Sequence, residues 1–229
     1  MECPTALAVK RAALVTRLGE AVHRGQHSPD ARRREDGHGR PEPAPADLPI
    51  PEDDGAVDHL VGQPIPRLSL PSTAGRTIAL DDLGPGRAVL YIYPLTGRPD
   101  IGLPDGWDNI PGARGCTTEA CDFRDHHRDL LDAGATAVLG LSSQDSDYQR
   151  EVVDRLRLPF EMLSDTGLSL AEKLNLPTFR AGDLMLYKRL TLVISDGAIE
   201  YVFYPIFPPN QHAQQLLAWL RSHPTPIGG

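Results

Sequence analysis

The sequence lacks the features that would place the chain in a membrane or direct it to secretion. No stretch approaches about 18 consecutive apolar residues, the length that a membrane-spanning helix needs. The N-terminus shows no basic segment, apolar core and small-residue cleavage site in the order typical of a secretory signal. We therefore expect a cytoplasmic protein with no membrane partner.

Cysteine is scarce as well. The 229 residues contain three cysteines, an odd number that argues against a framework of structural disulfides. The absence of a Cys-x-x-Cys motif makes a thiol–disulfide oxidoreductase the weaker interpretation. In a reducing compartment a cysteine pair is more often catalytic or metal-binding than a permanent bridge. Cys116 and Cys121 form such a pair, whereas Cys3 fits neither pattern and is interpreted as incidental.

The chain also lacks an excess of positive charge. Its formal net charge is −8, and the cluster Arg32-Arg33-Arg34 is local and balanced by neighbouring acids, which argues against nucleic acid as a partner. A hydrophobic content of 40% over 229 residues is enough for one good core. We expect a single folded domain.

Composition divides the chain into an N-terminal extension, residues 1–56, and a domain, residues 57–229. Residues 5–24 carry a weak helical stripe, and residues 25–56 are rich in proline and arginine and are interpreted as a disordered linker. From residue 57 short strands and helices alternate, which indicates an α/β domain with strands of mixed direction. The predicted strands are 67–70, 77–80, 88–93, 135–141, 190–194 and 199–204, and the predicted helices are 116–133, 146–157, 168–174 and 211–221.

The predicted helix 116–133 carries the most informative residues. Cys116 lies in its first turn, where unpaired backbone N–H groups and the positive end of the helix dipole favour an anion. We therefore expect the Cys116 thiol to ionise more easily than a free cysteine, and the thiolate is the reactive form. The alternative for both cysteines is that they are small buried hydrophobic residues.

Residues 115–125 read GCTTEACDFRD, which closely resembles the active-site helix of the peroxiredoxins, in particular the Q-like subgroup, also called bacterioferritin comigratory proteins. The resemblance extends from about residue 58 to residue 220. It implies a thioredoxin-like fold with a mixed central sheet flanked by helices. It further implies that Cys116 is the peroxidatic cysteine, Cys121 the resolving cysteine, and Arg189 the arginine that faces the sulfur.

The sequence departs from the family at one motif. Most members carry Pro-x-x-x-Thr-x-x-Cys, whose threonine hydroxyl can hydrogen-bond both sulfur and peroxide, but the corresponding positions here are Asn109 and Ala113. Residues 97–110 look like an insertion before the active-site helix. Thr96, at the end of the preceding strand, is our candidate for the missing hydroxyl, with an ordinary turn residue as the alternative.

The resemblance implies a thiol peroxidase without metal or organic cofactor. Hydrogen peroxide or an organic hydroperoxide would oxidise Cys116 to a sulfenic acid, Cys121 would condense with it, and thioredoxin or a low-molecular-weight thiol would restore both cysteines. A zinc site on Cys116, Cys121, His126 and His127 is disfavoured, because one helix cannot aim these groups at a single tetrahedral centre.

A second interpretation is a peroxide sensor or adaptor protein without efficient turnover. It depends on an exposed apolar patch formed by Phe203, Tyr204, Ile206 and Phe207. The alternative for these residues, which we favour, is core followed by a proline-bounded turn.

Overall fold

A five-stranded mixed sheet forms the centre of the protein, whose computed structural model describes residues 48–224. The strands of this sheet are β3 (Arg87–Ile92), β4 (Ala135–Ser142), β5 (Met162–Ser164), β8 (Leu190–Ser195) and β9 (Ala198–Phe203). Their spatial order is β5-β4-β3-β8-β9, in which β3 is parallel to β4 and antiparallel to β8. Two further strands, β1 (Ser69–Pro71) and β2 (Thr77–Ala79), form a separate hairpin.

The central strand β3 is buried along its whole length because both faces of the sheet are covered. On one face Val89 and Tyr91 pack in a core that includes Phe123 from the first helix, whereas Leu90 and Ile92 pack in the core on the opposite face. An unbroken apolar run, rather than an alternating one, is therefore what this strand requires.

Four helices flank the sheet, at positions close to those that the sequence predicts. They are α1 (Cys116–Asp132), α2 (Ser146–Leu156), α3 (Ser169–Leu174) and α4 (His212–Ser222). The helices α1 and α4 pack against each other over the face of β3 that carries Val89 and Tyr91. None of the helices within residues 48–224 has the length and apolar character that crossing a membrane requires.

The sequence prediction missed three strands: β5, and the hairpin of β6 (Thr178–Ala181) and β7 (Leu184–Tyr187). The inserted segment before α1 packs on this hairpin. Trp107 of this segment is buried and lies 6.1 Å from the ring of Phe179, measured between ring centroids. The inserted segment, β6 and β7 therefore form one small hydrophobic core together.

The described part of the N-terminal extension, residues 48–56, forms no helix or strand, but Asp54 binds two side chains of the domain. The predicted helical stripe at 5–24 and the rest of the predicted linker lie outside the described residues.

Three chain segments meet at one end of β3, and the topology explains why. Ile92, the last residue of β3, pairs with Leu190, the first residue of the antiparallel strand β8. Arg189 therefore lies directly beside the carboxyl end of β3, where ligand sites of open α/β sheets are commonly found. The N-terminus of α1 reaches the same place through contacts of Cys116 with both segments.

Candidate active site

Cys116 is the first residue of α1 and is a free thiol. Gly115 precedes the helix with a φ of 99°, and no side chain caps this helix end. A Cβ at Gly115 would lie 2.3 Å from Cγ of Pro209, so the helix start and residue 209 approach too closely for any other residue. Glycine is therefore required where the chain turns into the helix that carries Cys116.

Arg189 is the closest charged group to the sulfur. Its Nη2 lies 3.1 Å from Sγ of Cys116 and also donates to the backbone carbonyl oxygens of Arg114, at 3.0 Å, and Gly112, at 3.3 Å. The side chain is almost fully buried. The structure thus brings together the two residues that the resemblance paired, although Arg189 is far from Cys116 in sequence.

Glu119 completes a buried triad that sequence reasoning missed. Its carboxylate is fully buried and forms an ion pair with Nη1 of Arg189. The position three residues after Cys116 puts Glu119 on the same face of α1, which is the signal that could have identified it. Burial raises the pKa of Glu119 to about 7, although the Arg189 guanidinium acts in the opposite direction.

The sulfur has a mixed electrostatic environment. Burial raises the pKa of the Cys116 thiol, and the Glu119 carboxylate acts in the same direction. The Arg189 guanidinium and a hydrogen bond from the backbone N–H of Leu95 lower it, but burial has the larger effect. The expectation of easy ionisation was therefore wrong in direction for this folded state. That expectation counted the helix N-terminus but not the loss of water around a sulfur that is only 3% exposed.

Cys121 lies one and a half turns further along α1 and is also buried. It is disulfide-bonded in this structure, whereas Cys116 is free, so the two sulfurs are not joined to each other. Cysteines five residues apart on an intact helix are separated by a rise of about 7.5 Å and a rotation of about 140°. A bridge between them needs Cα atoms within about 7 Å, so the helix must first unwind.

The next residue, Asp122, joins α1 to α4. Its carboxylate accepts hydrogen bonds from the backbone N–H of Ala213, at 2.7 Å, and from the side-chain amide of Gln214, at 3.1 Å. Ala213 lies in the first turn of α4, whose N–H groups have no partner within the helix. The active-site helix therefore supplies the cap of its neighbour.

Thr96 is buried just after β3, and its hydroxyl binds a side chain of the protein, Gln144. The hydroxyl donates to Oε1 of Gln144 at 3.0 Å, and the Thr96 backbone N–H donates to the same oxygen at 2.9 Å. At this turn it is the backbone of Leu95, the preceding residue, that lowers the pKa of the Cys116 thiol. Thr96 therefore supports the turn, and a direct contact with peroxide stays a prediction.

The predicted apolar patch near residue 204 does not form an exposed surface. Ile206 is buried, Phe203 packs against the rings of His212 and Trp219, and the Tyr204 hydroxyl donates to Asp54. These residues therefore do not provide the exposed apolar patch on which the adaptor interpretation depends. Among residues 48–224, no group of three His, Cys, Asp or Glu side chains is arranged to hold a metal ion.

The chain is similar in sequence to one known family and to known proteins from plants. Residues 60–217, more than half of the chain, match the family described as Redoxin. A chloroplastic peroxiredoxin Q of Arabidopsis thaliana is 30% identical over 164 residues, which cover 70% of this chain and 67% of that protein. The chloroplastic peroxiredoxin Q of Oryza sativa subsp. japonica is 29% identical over 186 residues, which cover 79% of this chain and 77% of that protein.

Solved structures show the same fold. Peroxidoxin BcpB from Mycobacterium tuberculosis superposes with a TM-score of 0.59 at 26% identity, covering 73% of this chain and all of that one. A mutant of PrxQ from Xylella fastidiosa gives a TM-score of 0.59 at 20% identity, covering 72% of this chain and 98% of that one. The mixed sheet flanked by helices is therefore the thioredoxin-like arrangement that the sequence predicts.

Proposed function

Because this chain belongs to the Redoxin family and, within it, to the Q-like peroxiredoxins, which are thiol peroxidases, we propose that it reduces hydroperoxides through a sulfenic acid at Cys116 and a disulfide between Cys116 and Cys121. The observation that carries the proposal is the contact of 3.1 Å between Nη2 of Arg189 and the free sulfur of Cys116 at the start of α1.

The first step is attack of the Cys116 thiolate on the terminal oxygen of the hydroperoxide. The S–O bond forms as the O–O bond breaks, and the leaving alkoxide or hydroxide takes up a proton to become alcohol or water. Arg189 stabilises the thiolate before the reaction, and its planar guanidinium is suited to contact the peroxide oxygens as charge develops on them. Cys116 is oxidised to a sulfenic acid, and the hydroperoxide is reduced.

The second step resolves the sulfenic acid. It requires Cys121 as a thiol, so the cycle starts from protein in which Cys121 is reduced. The Cys121 sulfur attacks Sγ of Cys116, the S–O bond breaks, and water leaves as the disulfide forms. Because both residues lie on α1, its first turns must unwind, which breaks a few backbone hydrogen bonds worth about 1 kcal/mol each. A dithiol then reduces the disulfide by exchange, and thioredoxin or a low-molecular-weight thiol has the required chemistry.

Catalytic turnover separates this proposal from a peroxide sensor. Fully reduced protein would be mixed with excess hydrogen peroxide and either thioredoxin with its reductase and NADPH or an excess of glutathione, and peroxide consumption would be followed. We expect many molar equivalents of peroxide to be consumed with at least one reductant. Consumption of a single equivalent with every reductant would favour the sensor and contradict the proposed enzyme.

A further inference from the structure

A cavity lies against Arg189 and does not include Glu119 among its lining residues. Its empty space amounts to about 230 Å³, part of which is open to solvent. Apart from Arg189 and Arg114, the side chains around it are apolar, and they come from three separate segments: Leu48 and Pro49, Ile110 of the inserted loop, and residues 206–209. An apolar cavity with a small number of charged or polar groups in its lining is typical of a site for a small organic molecule with a polar end.

One wall of this cavity comes from the N-terminal extension. We call residues 48–54 the strap; it lies before residue 60, where the Redoxin match begins. Leu48 and Pro49 line the cavity, and a Cβ built on Gly112 would lie only 3.5 Å from the ring of Pro51. The strap therefore crosses the segment just before α1, whose residue Gly112 accepts a hydrogen bond from Arg189.

Asp54 anchors the strap to the residue that precedes Arg189. The carboxylate of Asp54 accepts from Nζ of Lys188 at 2.7 Å and from the hydroxyl of Tyr204 at 2.8 Å. These two contacts hold the pKa of Asp54 at about 2, so the anchor is charged throughout the neutral range. A single exposed ion pair holds a segment weakly. Here the contacts of Asp54, Pro51 and Leu48 act together on seven residues.

We propose that the strap determines which hydroperoxides reach Cys116, with Leu48 and Pro49 limiting the size of the organic substituent. The proposal rests on the peroxidase function proposed above. A hydroperoxide whose oxygens approach Arg189 must leave its carbon substituent between the strap and residues 206–209. Hydrogen peroxide has no substituent and does not depend on this space. Small alkyl hydroperoxides need less of this space than bulky aromatic ones, whose substituent would meet the side chain of Leu48.

Variants at Leu48 test the strap as a wall. The kcat/KM of the full-length protein would be measured for hydrogen peroxide, tert-butyl hydroperoxide and cumene hydroperoxide. Leu48→Ala should raise the value for cumene hydroperoxide roughly tenfold, and Leu48→Trp should lower it by a similar factor. Both variants should leave hydrogen peroxide within about twofold. Ile50→Ala is the matched control, because Ile50 belongs to the strap but is 65% exposed.

A second pair of variants tests the anchor. Asp54→Ala removes the contacts of this carboxylate with Lys188 and Tyr204 and should shift the ratio of cumene hydroperoxide to hydrogen peroxide in the same direction as Leu48→Ala. Asp53→Ala is the control, because the Asp53 carboxylate makes a local hydrogen bond, accepted from the backbone N–H of Gly55 two residues further along the chain. It should leave the ratio unchanged.

The outcomes separate this inference from the function on which it rests. Wild-type turnover of hydrogen peroxide, with the same substrate ratio in Leu48→Ala, Leu48→Trp and wild type, would overturn the role of the strap and leave the peroxidase intact. Equal changes for all three substrates would also overturn it, since a change in the reactive site would then be the cause. Absence of turnover in the wild type with every substrate would overturn both.

Discussion

Arg189 contacts the sulfur of Cys116 with its Nη2 and the carboxylate of Glu119 with its Nη1. One positive charge is thereby shared between two groups that can each be negative. In a buried site such sharing couples their ionisation, because a charge on one weakens the stabilisation available to the other. This relationship leads to predictions for each of the three residues.

Arg189→Lys should lower the second-order rate constant for hydrogen peroxide by about tenfold or more. An ammonium keeps the charge, but it lacks the planar fork with which Arg189 contacts the sulfur, the Glu119 carboxylate and two backbone carbonyls together. Stopped-flow measurement of the oxidation step would give the constant. Arg180→Lys, at an exposed arginine of β6, is the matched control and should react like wild type. An Arg189→Lys protein as fast as this control would show that the fork geometry is not needed.

Glu119→Gln should shift the pH dependence of the reaction to lower pH. The pKa of Glu119 is about 7, so in the wild type its carboxylate becomes negative near neutrality and then competes with the Cys116 thiolate for Arg189. Glutamine keeps a hydrogen-bond acceptor for Arg189 but stays neutral at every pH, so the pKa of Cys116 should fall. The thiolate absorbance of Cys116 and the oxidation rate, each titrated from acid to alkaline pH, would report the midpoint. Glu172→Gln, on the exposed face of α3, should not move it, and an unchanged midpoint in Glu119→Gln would exclude the competition.

Thr96→Val should slow the reaction with peroxide by about tenfold, equivalent to roughly 1.4 kcal/mol, while the protein stays folded. The expected cause is loss of the hydrogen bond to Gln144, which helps to hold the turn that also contains Leu95, whose backbone lowers the pKa of the Cys116 thiol. Thr96→Ser keeps the hydroxyl and should be much milder. Thr136→Val removes a similar hydroxyl bond, to the carbonyl of Arg87 at the opposite end of β3, and serves as the control. Equal rates for Thr96→Val and this control would show that the hydroxyl has no role in the reaction.

Oxidation should loosen α4 as well as α1. Formation of the Cys116–Cys121 disulfide requires unwinding around residues 115–124, and Asp122, inside this segment, caps the start of α4. Backbone amides of residues 115–124 and of Ala213 should therefore exchange faster with solvent after peroxide treatment, while those of β3 stay protected. Hydrogen exchange on reduced and oxidised protein would measure both. Faster exchange in α1 with unchanged protection at Ala213 would show that α4 keeps its cap by other means.

The sequence predicts the sheet centre and the reactive helix well because both depend on strong local patterns. The apolar run of β3 and the helical spacing after Cys116 give bounds within a residue or two of those observed. The hairpin of β6 and β7 was missed although Gly182-Asp183 lies at its turn, a known hairpin signal, because LMLY of β7 does not alternate between apolar and polar residues. Strand β5 has three residues and offers too few positions for any periodicity.

The residues of the site also differ in how well the sequence predicts them. Cys116 and Arg189 follow from resemblance to a known motif, but Glu119 does not follow from composition, because a glutamate on a helix is usually solvated. The partner of Thr96 was not predictable either, since Gln144 lies 48 residues further along the chain and approaches only through the pairing of β3 with β4. The direction of the Cys116 pKa depends on burial, which a local sequence pattern does not report.

The most direct test of the account is to measure which cysteine is oxidised by peroxide in single-cysteine variants. Reduced Cys121→Ser should consume one equivalent of hydrogen peroxide and retain a sulfenic acid at Cys116 that dimedone traps, as mass spectrometry would show. Cys116→Ser should neither turn over nor form this adduct, because a serine hydroxyl is not ionised near neutral pH. Cys3→Ser should turn over like wild type and yield a Cys116–Cys121 disulfide. Wild-type turnover by Cys116→Ser, or a trapped sulfenic acid at any other cysteine, would contradict the assignment of Cys116 as the reactive thiol.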